Sequence, residues 1–273
     1  AWAKRREVLH MAEQKALEEL RHIRKVFNAG TVSEMEVFHD FSLTIHEGEF
    51  ISVVGSNGSG KTTTLNLLCG SLMPDGGQIL LHGRDITRLP EYKRSAFLGR
   101  VFQDPAKGTC PSMTILENMS LADNKGKAFG FGTGVNRKKL DYYKSQLELL
   151  RLGLEDKIDL PVGVLSGGQR QALALLISTM TPIELLVLDE HTAALDPKSS
   201  ENVMELTDRI IKEKKLSAIM VTHNLRFAVE YGTRLLMMDK GHCVIDSGPN
   251  GKANYQIDDL LHTFNQISIE CGN

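Results

Sequence analysis

The stretch that decides the fold is "GSNGSGKTTT", residues 55–64, which directly follows the apolar run "FISVV", residues 50–54. An unbroken apolar run of this kind is typical of a strand buried on both faces. We expect a helix to follow, from Lys61 to about Cys69. In such a unit the glycines allow successive backbone N–H groups to point inward, and the helix N-terminus adds partial positive charge. The stretch therefore predicts a loop that binds phosphate groups.

The same stretch fits the pattern G-x-x-x-x-G-K-[ST] at every position. The matching residues are Gly55, Ser56, Asn57, Gly58, Ser59, Gly60, Lys61 and Thr62. In this pattern the lysine ammonium reaches the β and γ phosphates and the threonine hydroxyl ligates Mg²⁺. The alternative, a glycine turn beside a solvated lysine, does not account for the match of both flanks. The pattern predicts a site for a nucleoside triphosphate with Mg²⁺.

A second motif, "IELLVLDE" at residues 183–190, places two carboxylates after an apolar run. If the run is a buried parallel strand, Asp189 and Glu190 lie at the ligand-binding edge of the sheet. Asp189 then suits the Mg²⁺ shell, and Glu190 suits the polarising of a water for in-line attack on the γ phosphate. Alone, the motif has a purely structural alternative. Together with the phosphate loop it predicts hydrolysis.

Composition sets limits on the class of protein. The chain has 273 residues, 41% of them hydrophobic, which is enough for one large or two small domains. The formal net charge of -2 gives no uniform positive field, so nucleic acid and anionic lipid are not favoured as partners. Four scattered cysteines without a CxxC pair indicate reduced thiols in a cytosolic protein. No apolar stretch approaches the ~20 residues needed to cross a bilayer.

The middle of the chain predicts a mostly helical insertion at residues 104–164. Within it, "RKKLDYYKSQLELLRLG" places four apolar residues on one helical face. They are Leu140, Tyr143, Leu147 and Leu150. Residues 126–136 are rich in glycine without apolar periodicity, which predicts a mobile loop.

The rest of the chain indicates an α/β fold. After the insertion, segments typical of helices and strands alternate, which is the pattern of a parallel sheet covered by helices. Residues 1–19 are rich in Ala, Glu, Lys and Leu and predict a helix or a tail. Near the other end, "IDDLLHTFNQIS", residues 257–268, predicts one terminal helix.

A third motif decides the class. "LSGGQRQ", residues 165–171, resembles the signature motif of ATP-binding cassette (ABC) ATPases. Further family motifs occur in the family's order: Gln103 in "VFQDP", "AALDP" at 193–197, and His223 in "IMVTHN". The resemblance extends from about residue 20 to residue 250.

The resemblance implies the fold and its domains. We expect the P-loop NTPase fold of ABC ATPases, with a mostly parallel core sheet, an antiparallel β subdomain and a helical subdomain. The ATPase domain would span 20–250, with the helical subdomain inserted at about 104–164. Residues 1–19 would form an N-terminal extension, and 251–273 a short C-terminal helix or tail.

The resemblance also implies an ATP-dependent dimer, made with a second copy of the chain or with a homologous cassette. Each ATP would be held by the phosphate loop of one chain and the signature motif of the other. The signature residues at that contact would be Ser166, Gly167, Gly168 and Gln169. A hydroxyl and backbone N–H groups at a helix N-terminus suit a γ phosphate.

Other roles are carried over from the family in the same way. Gln103 would sense the metal, as a ligand, and the attacking water. His223 would contact the γ phosphate, and Asp196 would reach across the dimer interface. Their alternatives are a capped strand end, a satisfied core histidine and a helix N-cap. Phe27 falls where the family places an aromatic ring against adenine, and its alternative is a plain core residue.

The chain departs from the family pattern next to Glu190. His191 stands where the family usually has Pro, and Ala193 stands where it usually has Ser. Neither position supplies a group that the mechanism needs. For His191 we favour a structural role over that of a titrating neighbour. Thr62 and Thr63 stand where many relatives have Ser-Thr, an equivalent exchange, so both are assigned to the nucleotide site.

Transport is the favoured function. Related ATPases of DNA repair and chromosome structure carry coiled-coil or zinc insertions, and related translation factors carry two cassettes, whereas this chain has one compact cassette. A soluble ATPase acting on nucleic acid or ribosomes is therefore the weaker alternative. The resemblance implies a separate membrane permease that binds a groove in residues 104–164, and a peripheral position at the cytoplasmic face of the plasma (inner) membrane.

The direction of transport rests on details of sequence. "FNAGT", "GSNGSGKTT" and "DEHTAALDP" are similar to importer cassettes that work with a solute-binding protein, which implies small organic nutrients such as amino acids. The turn "NAGTVSEMEV", residues 28–37, also occurs in exporter cassettes for lipoproteins or efflux, so export stays an alternative. A cassette does not contact the cargo, so the substrate is not encoded in this chain.

Overall fold

The computed structural model describes residues 15–127, 134–249 and 251–270. The chain divides into two compact units. The first unit comprises the residues up to Arg94 and those from Lys215 onward, and the second comprises Ser95–Lys214. Of the predicted mobile loop, residues 128–133 lie outside the described part of the chain.

The described residues form ten strands and eight α-helices. The strands are β1 (Ala16–Phe27), β2 (Met35–His46), β3 (Phe50–Gly55), β4 (Gly76–Leu81), β5 (Arg84–Asp85), β6 (Leu98–Val101), β7 (Leu185–Asp189), β8 (Ser217–Val221), β9 (Arg234–Asp239) and β10 (His242–Asp246). The helices are α1 (Lys61–Cys69), α2 (Glu91–Arg94), α3 (Ile115–Asp123), α4 (Leu140–Glu148), α5 (Gly167–Ser178), α6 (Pro197–Lys214), α7 (Leu225–Glu230) and α8 (Ile257–Glu270).

The first unit contains two sets of strands. An antiparallel sheet has the order β2-β1-β4-β5, and the other set has the order β10-β9-β3-β8. In the second set β3 runs parallel to both β8 and β9, and β10 is antiparallel to β9. Every residue of β3 is buried, as the apolar run predicts. Helix α1 begins at Lys61 and ends at Cys69, as expected.

The second unit is mostly helical around a short parallel pair. Strands β6 and β7 pair in parallel, and the helices α3 to α6 belong to the same unit. On the predicted helical face, Tyr143, Leu147 and Leu150 are buried. Leu140, at the start of α4, is half-buried. The predicted fold class, a mostly parallel sheet with an antiparallel sheet and helices, is confirmed. The exact domain boundaries stay predictions.

The beginning of β1 corrects one expectation. Residues 16–19 were predicted to belong to a helix or a tail, and they form the start of a strand instead. Leu17 is buried, and Glu18 pairs with Ile45 of β2 and Leu81 of β4. Pairing on both sides outweighs the helix propensity of Ala, Leu and Glu, which is a weak preference. Residues 1–14 lie outside the described part of the chain.

Among the described residues, no helix combines the length and apolar character that crossing a membrane requires. Cys69 is buried, Cys110 half-buried and Cys243 exposed, and no disulfide joins them within the described part of the chain. Cys271 lies outside the described residues.

Candidate active site

Glycines set the backbone of the phosphate loop between β3 and α1. Gly58 and Gly60 have φ values of +78° and +103°, in the left-handed region that favours glycine. The Thr64 N–H donates to the Gly60 carbonyl at 2.8 Å, so α1 begins directly after the loop. The first turn of a helix has no intrahelical acceptors for its N–H groups. The loop end of α1 therefore offers donors to an anion.

Lys61 supplies a full positive charge inside the loop. Its side chain is buried, and its ammonium donates to the carbonyls of Gly55 and Ser56, both at 2.8 Å. The Ser56 hydroxyl donates to Oδ1 of Asp239 at 2.7 Å. Thr62 is exposed at the loop surface. Asp239 was not predicted, although it ends an apolar run, "RLLMMD", in the same way as Asp189 ends its own.

Replacing Gly60 with Ala should destabilise the fold. The new Cβ would lie 2.7 Å from two carbons of the Phe38 ring, and the positive φ disfavours alanine. We expect the free energy of unfolding to fall by about 2–4 kcal/mol, measured by urea denaturation. In the control variant Gly30→Ala, φ is also positive but nothing lies within 4 Å of the Cβ. There we expect about 1 kcal/mol, and equal losses would contradict the steric explanation.

Parallel strands of the first unit bring three features to one edge. β3 ends at Gly55, β9 ends at Asp239, and β8 ends at Val221, two residues before His223. Because β3 pairs in parallel with both neighbours, their carboxyl ends meet at the same edge. The phosphate loop, Asp239 and His223 therefore share that edge. His223 is exposed, which argues against the alternative of a core histidine.

Phe27 is the last residue of β1 and is only half-buried. The Lys25 ammonium lies over its ring, 5.6 Å from the ring centroid. An aromatic ring outside the buried core is available to a ligand, so the alternative of a plain core residue is not supported.

The second unit places the other predicted catalytic groups at one strand edge. Val101 of β6 pairs with Leu188 of β7, so the chain segments after both strands leave from the same edge. Gln103 follows β6 and is exposed, whereas Asp189 and Glu190 are half-buried.

Glu190 has a φ of 47°, an uncommon backbone conformation for a residue other than glycine. Such conformations cost about 1–3 kcal/mol and cluster at functional sites.

Arg100 contacts the predicted metal ligand of the second unit. Its Nη2 lies 3.3 Å from Oδ2 of Asp189, and its guanidinium carbon lies 4.6 Å from the centroid of the Phe102 ring. This arginine was not predicted from the sequence. A cation bound at Asp189 would compete with Arg100 for the carboxylate.

The signature motif forms the N-terminus of α5. The Gln169 N–H donates to the Ser166 hydroxyl oxygen at 3.2 Å, and the Ser166 N–H donates to Oε1 of Gln169 at 3.1 Å. This reciprocal pair is a capping box. Since the Ser166 oxygen accepts here, the hydroxyl keeps its own proton to donate. A Cβ on Gly168 would lie 3.2 Å from the Ser199 side chain, so a side chain at this position would require Ser199 to shift.

Asp196 caps the N-terminus of α6. Its Oδ1 accepts a hydrogen bond from the Ser199 N–H at 3.1 Å. Hydrogen bonds from Ser199 hold the pKa of Asp196 below its usual value. The helix N-cap named as the alternative is therefore present, and the carboxylate is exposed.

His191 is enclosed in the second unit. The Thr207 hydroxyl donates to the Val203 carbonyl at 2.7 Å, so its oxygen accepts from Nε2 of His191 at 3.1 Å. Burial lowers the pKa of His191 to about 4, and the ring is neutral at neutral pH. These observations favour the structural role.

The burial of His191 should make stability depend on pH. Its pKa is about 4 in the folded chain against 6.5 ordinarily, so the unfolded chain binds more protons between these values. The neutral His191 ring therefore contributes fully to the free energy of unfolding above pH 6.5. This contribution is lost as the pH falls towards 4. We expect urea denaturation to show a loss of about 2 kcal/mol between pH 7 and pH 5 that a His191→Gln variant lacks. Parallel pH dependences in the two proteins would contradict this account.

Comparison with known proteins identifies the family. Residues 38–193 match the sequence model of the ABC transporter family. The chain belongs to this family. It is 45% identical over 246 residues to the tyrosine transport ATP-binding protein of Clostridioides difficile (strain R20291), covering 90% of this chain and 98% of that protein.

Two more relatives of the ABC transporter family differ in what their names describe. The spermidine/putrescine import ATP-binding protein PotA of Haemophilus influenzae (strain Rd) is 34% identical over 87% of this chain, which spans 59% of the length of PotA. The lipoprotein-releasing system ATP-binding protein LolD 1 of Caulobacter vibrioides is 34% identical over 81% of this chain and 92% of that protein.

Among solved structures, the fold is similar to the ATP-binding cassette MJ0796, solved as a dimer in a post-hydrolysis state bound to ADP and Pi. The TM-score is 0.71 at 26% identity, over 84% of this chain and 97% of that one. The chain is accordingly an ATP-binding subunit of an ABC transporter, and its activity is ATP hydrolysis. The predicted metal ligands, Thr62, Gln103 and Asp189, offer hydroxyl, amide and carboxylate oxygens, which suit Mg²⁺.

Proposed function

We propose that this ABC ATPase hydrolyses ATP with Mg²⁺ in a dimer of cassettes and thereby drives a separate membrane permease that imports an amino acid. The observation that carries the substrate class is the 45% identity to a tyrosine transport ATP-binding protein along 98% of that protein. ATP hydrolysis is supported by the residues at two strand edges. One edge carries the phosphate loop and His223, and the other carries Gln103 and Glu190.

The proposed nucleotide site begins with the phosphate loop. Its backbone N–H groups, Lys61, Thr62 and Thr63 bind the phosphates of ATP. Phe27 stacks on the adenine base, a contact worth ~1–3 kcal/mol per base that is tolerant of base identity. The half-buried position of Phe27 at the end of β1 supports that role.

Hydrolysis is assigned to the carboxyl ends of the strands. Glu190 orients a water and takes its proton as the water attacks the γ phosphate in line, while the bond from the γ phosphorus to the β-phosphate oxygen breaks and ADP leaves. Gln103 positions the same water, and His223 donates a hydrogen bond to the γ phosphate. Thr62, Gln103 and Asp189 would hold Mg²⁺, which neutralises charge on the phosphate oxygens.

The proposed dimer couples ATP binding to movement. Ser166, through its hydroxyl, and Gly168, through its backbone N–H, donate to the γ phosphate of the ATP held by the other chain, with Gly167 and Gln169 at the same contact. Asp196 reaches across the interface. Because ATP contacts both chains only in the closed dimer, ATP shifts the equilibrium towards closure, and hydrolysis removes that bias. The partner is a second copy or a homologous cassette.

The proposed location is the cytoplasmic face of the plasma membrane. The permease is a separate polypeptide that binds a groove in residues 104–164, and a solute-binding protein delivers the amino acid on the other side. This arrangement agrees with the finding that no described helix has the properties of a membrane span.

Uptake tests the proposed substrate class. We expect cells of its own organism that lack this chain to lose uptake of labelled tyrosine or of another amino acid that competes with it. The native chain should restore uptake, and a Glu190→Gln variant should not. Glucose uptake serves as the control. Unchanged uptake of every amino acid tested would contradict import of this class.

An exporter is the second candidate, because LolD 1 is 34% identical over 92% of its length. The hairpin turn before Met35, which also occurs in exporter cassettes, is present and internally hydrogen-bonded, with the Gly30 N–H donating to Oε2 of Glu34 at 2.6 Å. Unchanged amino acid uptake together with lipoproteins retained in the membrane would favour this candidate.

A further inference from the structure

A carboxylate outside the phosphate loop holds the end of the strand that carries Phe27. Asp75 lies in the loop between α1 and β4. Its Oδ2 accepts from the Val26 N–H at 2.7 Å, and its Oδ1 accepts from the Lys25 ammonium at 2.9 Å. Its own N–H donates to the Arg24 carbonyl at 2.9 Å. One residue thus holds the three residues of β1 that directly precede Phe27.

The reason for this arrangement lies in the register of the sheet. The pairing of β1 with β4 ends at Arg24 and Gly76, although β1 continues to Phe27. Beyond that pair, β4 no longer supplies acceptors to β1. The side chain of Asp75 replaces them for Val26, because a backbone N–H left without an acceptor is unfavourable.

Lys25 connects Asp75 to the aromatic ring of Phe27. Its side chain is 12% exposed, and its ammonium lies 5.6 Å from the centroid of the Phe27 ring, within the range of a cation–π contact. The hydrogen bond to Val26 and the ion pair with Lys25 hold the pKa of Asp75 below its usual value. Near neutral pH the carboxylate is therefore ionised and Lys25 stays paired over the ring.

We propose that Asp75 is a positioning residue for recognition of the nucleotide base. It fixes the end of β1 through Val26 and the ring of Phe27 through Lys25, so that the ring is held ready for stacking. The inference rests on the proposed role of Phe27 and deepens it. Asp75 also follows α1 after a short loop. One continuous segment of the chain therefore contains both the helix that begins with Lys61 and the carboxylate that holds the Phe27 ring in place.

The test compares ligands with and without a base. Steady-state hydrolysis by the full chain gives kcat and the KM for ATP, and inhibition by inorganic tripolyphosphate reports on the phosphate loop alone. For Asp75→Ala we expect the KM for ATP to rise about three- to tenfold, with kcat and the tripolyphosphate inhibition constant within twofold of the native chain. Asp75→Asn should be intermediate, because its amide oxygen still accepts from Val26 but no longer pairs with Lys25.

Asp40→Ala is the matched control. Asp40 is an exposed carboxylate that also contacts β1, through the ring of His22 at 2.9 Å. That contact lies away from the end of the strand. We expect no change in the KM for ATP in this variant.

The outcomes separate this inference from the proposed function. If Phe27→Ala raises the KM for ATP and Asp75→Ala does not, the positioning role is wrong and stacking stands. If Asp75→Ala raises the inhibition constant of tripolyphosphate as much as the KM for ATP, the residue supports the phosphate loop and the inference is overturned. If Phe27→Ala leaves the KM unchanged, the stacking role of Phe27 fails, and the role of Asp75 in base recognition fails with it.

Discussion

Replacing Glu190 with Gln should lower ATP turnover by about 10²–10⁴-fold, the usual contribution of a general base. The amide has the shape of the carboxylate and can still contact a water, but it cannot accept the water's proton. ATP binding should persist. Because hydrolysis no longer opens the dimer, the variant should accumulate as an ATP-bound dimer. Phosphate release gives the rate, and light scattering with and without ATP gives the mass.

Glu184→Gln is the matched control for this experiment. Glu184 lies directly before β7, whereas Glu190 lies directly after it, so the same change is made at the two ends of one strand. We expect the control to hydrolyse ATP at the native rate and to form no trapped dimer. A Glu190→Gln variant that keeps most of its turnover, or stays monomeric in ATP, would contradict the assigned role.

Replacing Lys61 with Met should weaken ADP binding by about 10- to 150-fold, because a charged donor to the phosphates is lost. Methionine keeps the apolar stem of the side chain in its buried place. The change also removes the donor to the carbonyls of Gly55 and Ser56. Calorimetric titration with ADP measures the affinity, and thermal unfolding shows whether the loop has kept its stability.

Lys212→Met provides the comparison for Lys61. Lys212 is 73% exposed and pairs with the carboxylate of Asp208 at 2.6 Å, away from the phosphate loop in sequence. We expect the Lys212→Met variant to bind ADP with the affinity of the native chain. A folded Lys61→Met variant that binds ADP as tightly as the control would show that the ammonium does not contact the phosphates.

The phosphate loop was predictable because its determinants are local. One apolar run, three glycines at fixed spacing and a following helix are all contained in residues 50–69. The same holds for Ser166 and Gln169, whose capping box joins residues three positions apart. The ends of the strands were also predictable, because a buried strand ends where its apolar run ends, as before Asp189.

The supporting contacts of the site were not predictable from local patterns. Ser56 and Asp239 are 183 positions apart in sequence, Arg100 and Asp189 are 89 apart, and Val26 and Asp75 are 49 apart. Which side chains meet over such separations depends on strand order and register. The wrong expectation for residues 16–19 has the same origin, because pairing partners distant in sequence decided their conformation.

The most direct test of the transport claim is co-purification. The tagged chain is recovered from detergent-solubilised membranes of its own organism, and every protein bound to it is identified by mass spectrometry. We expect a multispanning permease in a fixed ratio to the chain, with a solute-binding protein as a further partner of an importer. Recovery of soluble or ribosomal proteins alone would contradict the transport function and leave the ATPase chemistry in place.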